Sequence, residues 1–216
     1  MQRILFAFMA LCALTLPASA QQQAQRAPLD WFLGYDQFRG AELSPDGRRL
    51  AVIRRDNIGD TVMIVDLETR QSRAVQTARA EHQMEVEWVE FKSDNRIIFG
   101  VAQKIRVVPN ARSALRRVHV DDGFEWVSRV YASDIDGSNL QALYDPSEAQ
   151  GFPREFNAGL VSILSRDPNH VLMIVPNYGG NELWRVNINT GEHTQVEKGG
   201  IWTAGYLVDV NGTPVM

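Results

Sequence analysis

Cysteine is almost missing from this sequence: there is one in 216 residues, Cys12. That excludes a disulfide framework, and beyond position 12 it excludes thiol chemistry altogether. Basic charge is not in excess either. Lys and Arg number 22 against 26 Asp and Glu, a formal net charge of −4, whereas a nucleic-acid partner calls for a concentrated basic face. Histidine is sparse, with only His82, His119, His170 and His193 and no H-x-x-x-H pair, so no metal site is expected. His119 lies near Asp121 and Asp122, but a base and its orienter need a nucleophile, and none is close in sequence. No G-x-x-x-x-G-K loop, D-x-D-x-D-G loop or G-x-S-x-G elbow occurs, which removes the usual signatures of phosphate binding, calcium binding and serine nucleophiles. The expectation is of no catalytic residues, no cofactor and no metal.

Long apolar runs are also scarce. Ile4 to Leu16 forms the main one, preceded by Arg3 and followed by Pro17, Ala18, Ser19 and Ala20. It falls short of the roughly 20 residues that span a bilayer, and it has the charge, apolar stretch and small-residue site of a secretory signal peptide. Residues 1–20 are read as that signal, cleaved after Ala20, which places the protein in the periplasm or outside the cell with no membrane association after cleavage. Residues 21–27, rich in Gln, read as a disordered leader. Residues 28–216 read as the folded part. It opens with Leu29, Trp31, Phe32, Leu33, Tyr35 and Phe38, and the spacing of Trp31, Tyr35 and Phe38 predicts a short helix or turn packed on the domain.

What the chain does have is repetition. Leu43-Ser44-Pro45-Asp46-Gly47 runs into RRLAVI, Phe91-Lys92-Ser93-Asp94-Asn95 into RIIFGV, Leu164-Ser165-Arg166-Asp167-Pro168-Asn169 into HVLMIV, and Leu207-Val208-Asp209-Val210-Asn211-Gly212 into TPVM. The start-to-start distances are 48, 73 and 43 residues, and the outer two match the ~40–50 residues of a four-stranded propeller blade. A second repeat follows the first. Asp66-Leu67-Glu68-Thr69-Arg70, Asp134-Ile135-Asp136-Gly137-Ser138 and Asn187-Ile188-Asn189-Thr190-Gly191 each join two strand-like runs in the manner of hairpin turns. Each unit thus reads as two hairpins in fixed order. The fold class is all-β, a partial β-propeller of about three four-stranded antiparallel blades plus the start of a fourth.

The long middle interval implies an insertion over about 103–129. It holds Arg106, Arg112, Arg116 and Arg117, then Asp121, Asp122 and Glu125. It is either a solvated hairpin extension with locally paired charges or an excursion reaching a partner or substrate. Asp46, Asp94 and Asp167 recur once per blade and are expected to bond turn backbone rather than calcium. Trp88, Trp126, Trp184 and Trp202 are expected to pack between blades. Asn211-Gly212-Thr213 reads as a turn rather than a glycosylation acceptor, and Gly179, Gly180, Gly199 and Gly200 as loops.

The run PLDWFLGYDQFRGAELSPDGRRLAVI, with VEWVEFKSDNRIIFGV, RVYASDIDGSNLQALY and LVSILSRDPNHVLMIVPNYGGNELWRVNINTGEHTQVEKGG, resembles the N-terminal propeller of the prolyl-oligopeptidase family of serine peptidases, in its dipeptidyl-aminopeptidase and acylaminoacyl-peptidase-like branch. The resemblance covers Pro28 to Met216. It implies a gating propeller followed by a C-terminal α/β-hydrolase domain acting on short peptides, with this chain stopping before that domain and being itself non-catalytic. The branch's paired substrate-binding glutamates have no Glu-Glu counterpart, since Glu81, Glu85, Glu87 and Glu90 stand singly. The alternatives are a non-catalytic envelope propeller that binds a partner, or a truncated product without independent function.

Overall fold

The computed structural model describes residues 38–106, 124–144, 158–177, 180–200 and 202–215. The expected signal, leader and aromatic opening as far as Tyr35, His119 and Gly179 lie outside them, as does the middle of the proposed insertion; Phe38 opens a strand and is 58% exposed, not packed in a helix or turn. The chain divides into Met1–Tyr35 and Asp36–Met216, and the second unit holds everything that follows.

Among the described residues, fourteen strands form three four-stranded antiparallel sheets and a two-stranded hairpin. The first blade is β1 (Phe38–Leu43), β2 (Arg49–Arg55), β3 (Gly59–Asp66) and β4 (Ser72–Arg79). The second is β5 (Met84–Ser93), β6 (Arg96–Arg106), β7 (Phe124–Asp134) and β8 (Gln141–Tyr144). The third is β9 (Gly159–Ser162), β10 (His170–Asn177), β11 (Gly180–Asn187) and β12 (His193–Glu197), followed by β13 (Leu207–Val208) and β14 (Pro214–Val215). In every blade the strand order in the sheet is the order in the chain. This is the partial propeller that the paired repeats foretold, with the S-P-D-G turn joining the first two strands and the D-x-x-T turn the last two.

The turns form where side chains can replace missing backbone partners. Asp46 Oδ1 accepts from the Arg48 N–H and the Ser44 hydroxyl, and Gly47 takes φ +71°, which a side chain would resist. Asp66 Oδ1 accepts from the Glu68 and Thr69 N–H groups, and Asn187 Oδ1 from those of Asn189 and Thr190. Asp209 does the same for Asn211 and Thr213. Asp94 departs from the expected local role, because its Oδ1 accepts from the Asp46 N–H of the neighbouring blade at 2.9 Å.

Packing follows the alternation along each strand, in which one face of each sheet meets the next blade. Ala51, Ile53, Val62 and Ile64 of the first blade pack on Phe91, Ile97 and Phe99 of the second. Ile98, Val130 and Ala132 of the second meet Val171, Met173, Val186 and Ile188 of the third. A small third cluster, Leu164, Leu172 and Leu183, is covered by Tyr206 and Val208 of the hairpin region. Each Val, Leu, Ile, Phe or Met among them contributes about 1.5–3 kcal/mol when fully buried, the alanines less.

Cations cross the same seams at the S-P-D-G end. Arg49 Nη1 donates to the Asp94 carbonyl at 3.1 Å. Buried Lys92 donates to the carbonyls of Ile163, Leu164 (2.9 Å) and Asp167 (2.5 Å) in the third blade, and Arg96 reaches the Ile188 carbonyl at 2.6 Å. Burial works against the charge on Asp167. Even so, Arg185, the Asn169 N–H and His170 hold its carboxyl well below the usual carboxylate range.

The expected insertion takes a definite form at its two ends. β6 and β7 stay in unbroken register from Arg96↔Asp134 to Arg106↔Phe124, so residues 103–106 and 124–129 are strand. The hairpin outruns its neighbour, since β5 pairs only as far as Met84↔Gln103. Two of the four tryptophans expected between blades do not pack there. Trp88 and Trp184 lie against the second core cluster, but Trp202 is 89% exposed and Trp126 43%. Trp126 sits on the overhanging part of β7, beyond the last residue pair of β5 and β6.

Candidate functional site

At the end of the first two blades opposite the S-P-D-G turns, β2 finishes with Arg55 and β3 opens with Gly59 and Asp60. Gly59 makes that tight turn feasible: its φ is +147°, and a Cβ there would lie 2.1 Å from the Ala78 carbonyl. Asp60 is 1% exposed and is saturated with donors. Arg55 grips it with Nε to Oδ1 at 2.7 Å and Nη2 to Oδ2 at 2.9 Å, and the Val86 N–H adds a bond at 3.0 Å. This two-pronged geometry is the strong form of the arginine–carboxylate pair.

A second acid extends the network across the seam. Glu85 Oε2 accepts from Arg55 at 2.8 Å and from Arg39 at 3.2 Å. Asp60 and then Glu85 raise the Arg55 guanidinium above its ordinary value, and Arg55, followed by Arg39, lowers the Glu85 carboxyl against the effect of burial. Arg55 and Glu85 are therefore both charged at neutral pH.

A bulge then brings a further carboxylate to the same place. The register of β5 on β6 passes from Val86↔Val101 to Trp88↔Gly100, leaving Glu87 as the extra residue. Gly100 permits this, because a Cβ there would lie 2.4 Å from the Trp88 indole nitrogen. Glu87 is exposed and accepts from the Ser128 hydroxyl at 2.7 Å. The overhanging β7 sets Trp126 beside these acids. The result is a pocket of about 350 Å³ lined by Arg39, Glu85, Val86, Glu87, Ala102 and Trp126. A second of about 280 Å³ adjoins it, bounded by Arg55, Asp60, Gln83, Met84, Glu85 and again Trp126.

Across the two pockets the described lining residues include the carboxylates of Glu85, Glu87 and Asp60, the guanidinium groups of Arg39 and Arg55 and a partly exposed indole, a set suited to binding. Among the described residues no group of three His, Cys, Asp or Glu side chains could hold a metal ion. His170 contacts Asp167 at 3.0 Å at the other end of the fold, and His193 stacks on Trp184 with centroids 3.9 Å apart. No helix among the described residues is long and apolar enough to cross a membrane.

In the sequence Glu85 and Glu87 stand out only as single acids, and Arg39, Arg55 and Asp60 do not stand out at all. One signal was available. Asp60 stands near the start of a strand that is apolar from Val62 to Val65, five residues after an arginine, and a charge at such a position demands a partner.

The comparisons agree with the architecture. No family model matches the sequence, and no curated protein matches it. Solved structures do. Acylaminoacyl peptidase from Pyrococcus horikoshii superposes with a TM-score of 0.50 at 15% identity, over 76% of this chain and 26% of that one. An oligogalacturonate lyase in complex with manganese gives 0.50 at 12% identity, over 81% of this chain and 45% of its own. The β-propeller domain of the Trilobed protease from Pyrococcus furiosus gives 0.46 at 11%, over 75% and 43%. The chain thus spans less than half the length of each. At these identities the likeness is one of fold, and the fold is the β-propeller.

Proposed function

We propose that this chain is the propeller portion of an exported serine peptidase of the prolyl-oligopeptidase family. In this reading it is non-catalytic, and it admits and positions short peptides for an α/β-hydrolase domain. The ordered resemblance of residues 28–216 supports the family, and a propeller fold shared with an acylaminoacyl peptidase is consistent with it. The observation that carries the role is the pocket of Arg39, Glu85, Glu87 and Trp126 at one end of the first seam. Both signs of charge beside an exposed indole suit a short peptide, which presents an ammonium, a carboxylate and apolar side chains within a few ångströms.

The experiment is to treat the natural gene product with a fluorophosphonate serine probe and to assay its hydrolysis of short peptides. Labelling is expected. Trp126→Ala is expected to raise KM about tenfold with kcat unchanged, as loss of a contact made equally in ground and transition states does. A product that takes no label but still binds peptides through Trp126 would be a binding propeller of the envelope instead.

A further inference from the structure

Six charged side chains line the two adjoining pockets of the first seam, and five of them are tied to partners. Arg55 takes both oxygens of Asp60 at 2.7 and 2.9 Å and also reaches Glu85 at 2.8 Å. Arg39 donates to the same Glu85 oxygen at 3.2 Å and stands 3.6 Å from Asp60. Asp56 is paired with Arg54 at 3.0 Å. These guanidinium groups and carboxylates neutralise one another. Glu87 is the sixth. It is the extra residue of the bulge, it is exposed, and among the described residues it accepts from one uncharged group, the Ser128 hydroxyl, which bonds its Oε2 at 2.7 Å. A carboxylate can accept about four hydrogen bonds, so Glu87 keeps acceptor capacity, and a negative charge, for a guest.

Trp126 lines the same pocket and is 43% exposed. The overhang that carries it already sets a cation on an aromatic ring: the Lys104 ammonium lies 5.1 Å from the Phe124 ring centroid, and Lys104 is registered against Trp126. Trp126 stands two residues beyond Phe124, on the same face of β7, with Glu87 in its pocket. An indole face and an unneutralised carboxylate attract the same guest, a cation. An anion would meet the charge of Glu87, and a neutral group would engage neither feature fully. Between cations, the site favours a guanidinium over an ammonium. An ammonium has three donors that call for converging acceptors, but Asp60 and Glu85 are already held by arginines. A guanidinium is satisfied by one carboxylate, which its planar fork takes side-on, and it stacks on an indole. Val86 and Ala102 line the pocket too and offer apolar surface to the aliphatic stem behind such a head group.

We propose that the Glu87–Trp126 pocket is a specificity pocket for an arginine side chain of a bound peptide. The guanidinium bonds to the Glu87 carboxylate and lies on the Trp126 indole, and the cavity of about 350 Å³ holds that one side chain. What is recognised is a side chain within the peptide, so the amino terminus is not required. The inference rests on reading this pocket as a peptide site, but it needs no hydrolase domain and is measured by binding alone.

The test is titration calorimetry of the natural gene product, pretreated with fluorophosphonate so that no peptide is consumed. The probes are N-acetyl-Gly-Arg-Gly-amide and the same peptide with citrulline, which keeps the shape of arginine and lacks its charge. Acetylation removes the terminal ammonium, so the side chain alone carries charge. The arginine peptide is expected to bind about tenfold more tightly or better, with a difference that shrinks as salt is added. Glu87→Gln keeps an acceptor for Ser128 and should bring the two peptides within about twofold of each other. Trp126→Leu should weaken the arginine peptide more than the citrulline one, and it carries the same test if Glu87→Gln lowers the folded fraction by circular dichroism. No binding of either peptide, equal affinity for the two, a preference that survives both substitutions, or binding only with an unblocked amino terminus would each overturn the proposal. Fluorophosphonate labelling without an arginine preference would remove this inference and leave the peptidase reading standing; an arginine preference without labelling would do the reverse.

Discussion

Asp60 sits at a position only 1% exposed, and the Arg55 fork together with the Val86 N–H makes a carboxylate tolerable there. Asp60→Asn removes the charge but keeps the shape, leaving Arg55 with half its grip. The expected cost is about 2–3 kcal/mol in urea unfolding, less than for a fully buried pair because Arg55 is partly in water. Glu85→Gln, on the wetter side of the same network, should cost under about 1 kcal/mol. Glu90 makes the opposite case. Burial, and then Glu42 on β1 of the adjacent blade, push its carboxyl above the ordinary value. A carboxyl raised in the folded state penalises folding once pH exceeds its unfolded value near ~4.3, and the penalty is absent below that. Glu90→Gln should therefore stabilise the protein by a few tenths to about 1 kcal/mol at pH 7 and leave it unchanged near pH 3.5, as read from paired melting curves. Glu90 was visible in the sequence only as an acid; its neighbour Glu42 lies far along the chain and meets it through blade packing.

Among the elements, the turns were the most legible, because their chemistry is local. An Asp or Asn that bonds the N–H groups two or three positions on needs nothing beyond its own tetrapeptide, and Asp46, Asp66, Asn187 and Asp209 all do so. Asp94 has the same sequence context but a neighbouring blade within reach, and it bonds across the seam instead. Lys92 shows the same effect more strongly. Its position matches Ser44 and Ser165, so nothing local marks it, yet it ties β5 to three carbonyls of the third blade. Lys92→Met keeps the apolar stem and removes the donor. The expected loss is about 2–3 kcal/mol by urea denaturation, with faster amide exchange across 163–167 than across the first seam. The bulge at Glu87 was not legible, since it depends on how β5 meets β6 and on Gly100 making room for Trp88.

For the whole molecule, blades that touch only their neighbours should unfold unevenly. The β13–β14 hairpin has two strands and a mostly exposed outer face, so its amides should exchange first in hydrogen-exchange mass spectrometry. Those of β6 and β10, central in their sheets, should exchange last; uniform protection across all four units would contradict this. From the sequence alone came the fold class, the number of blades and the order of their hairpins, because alternation and turn chemistry are short-range and recur. Tertiary structure alone decided where the charges of distant strands meet and which tryptophans remain in water. Those outcomes depend on one sheet lying against another, and the physical cause is that burial belongs to pairs of surfaces while a sequence lists them one at a time.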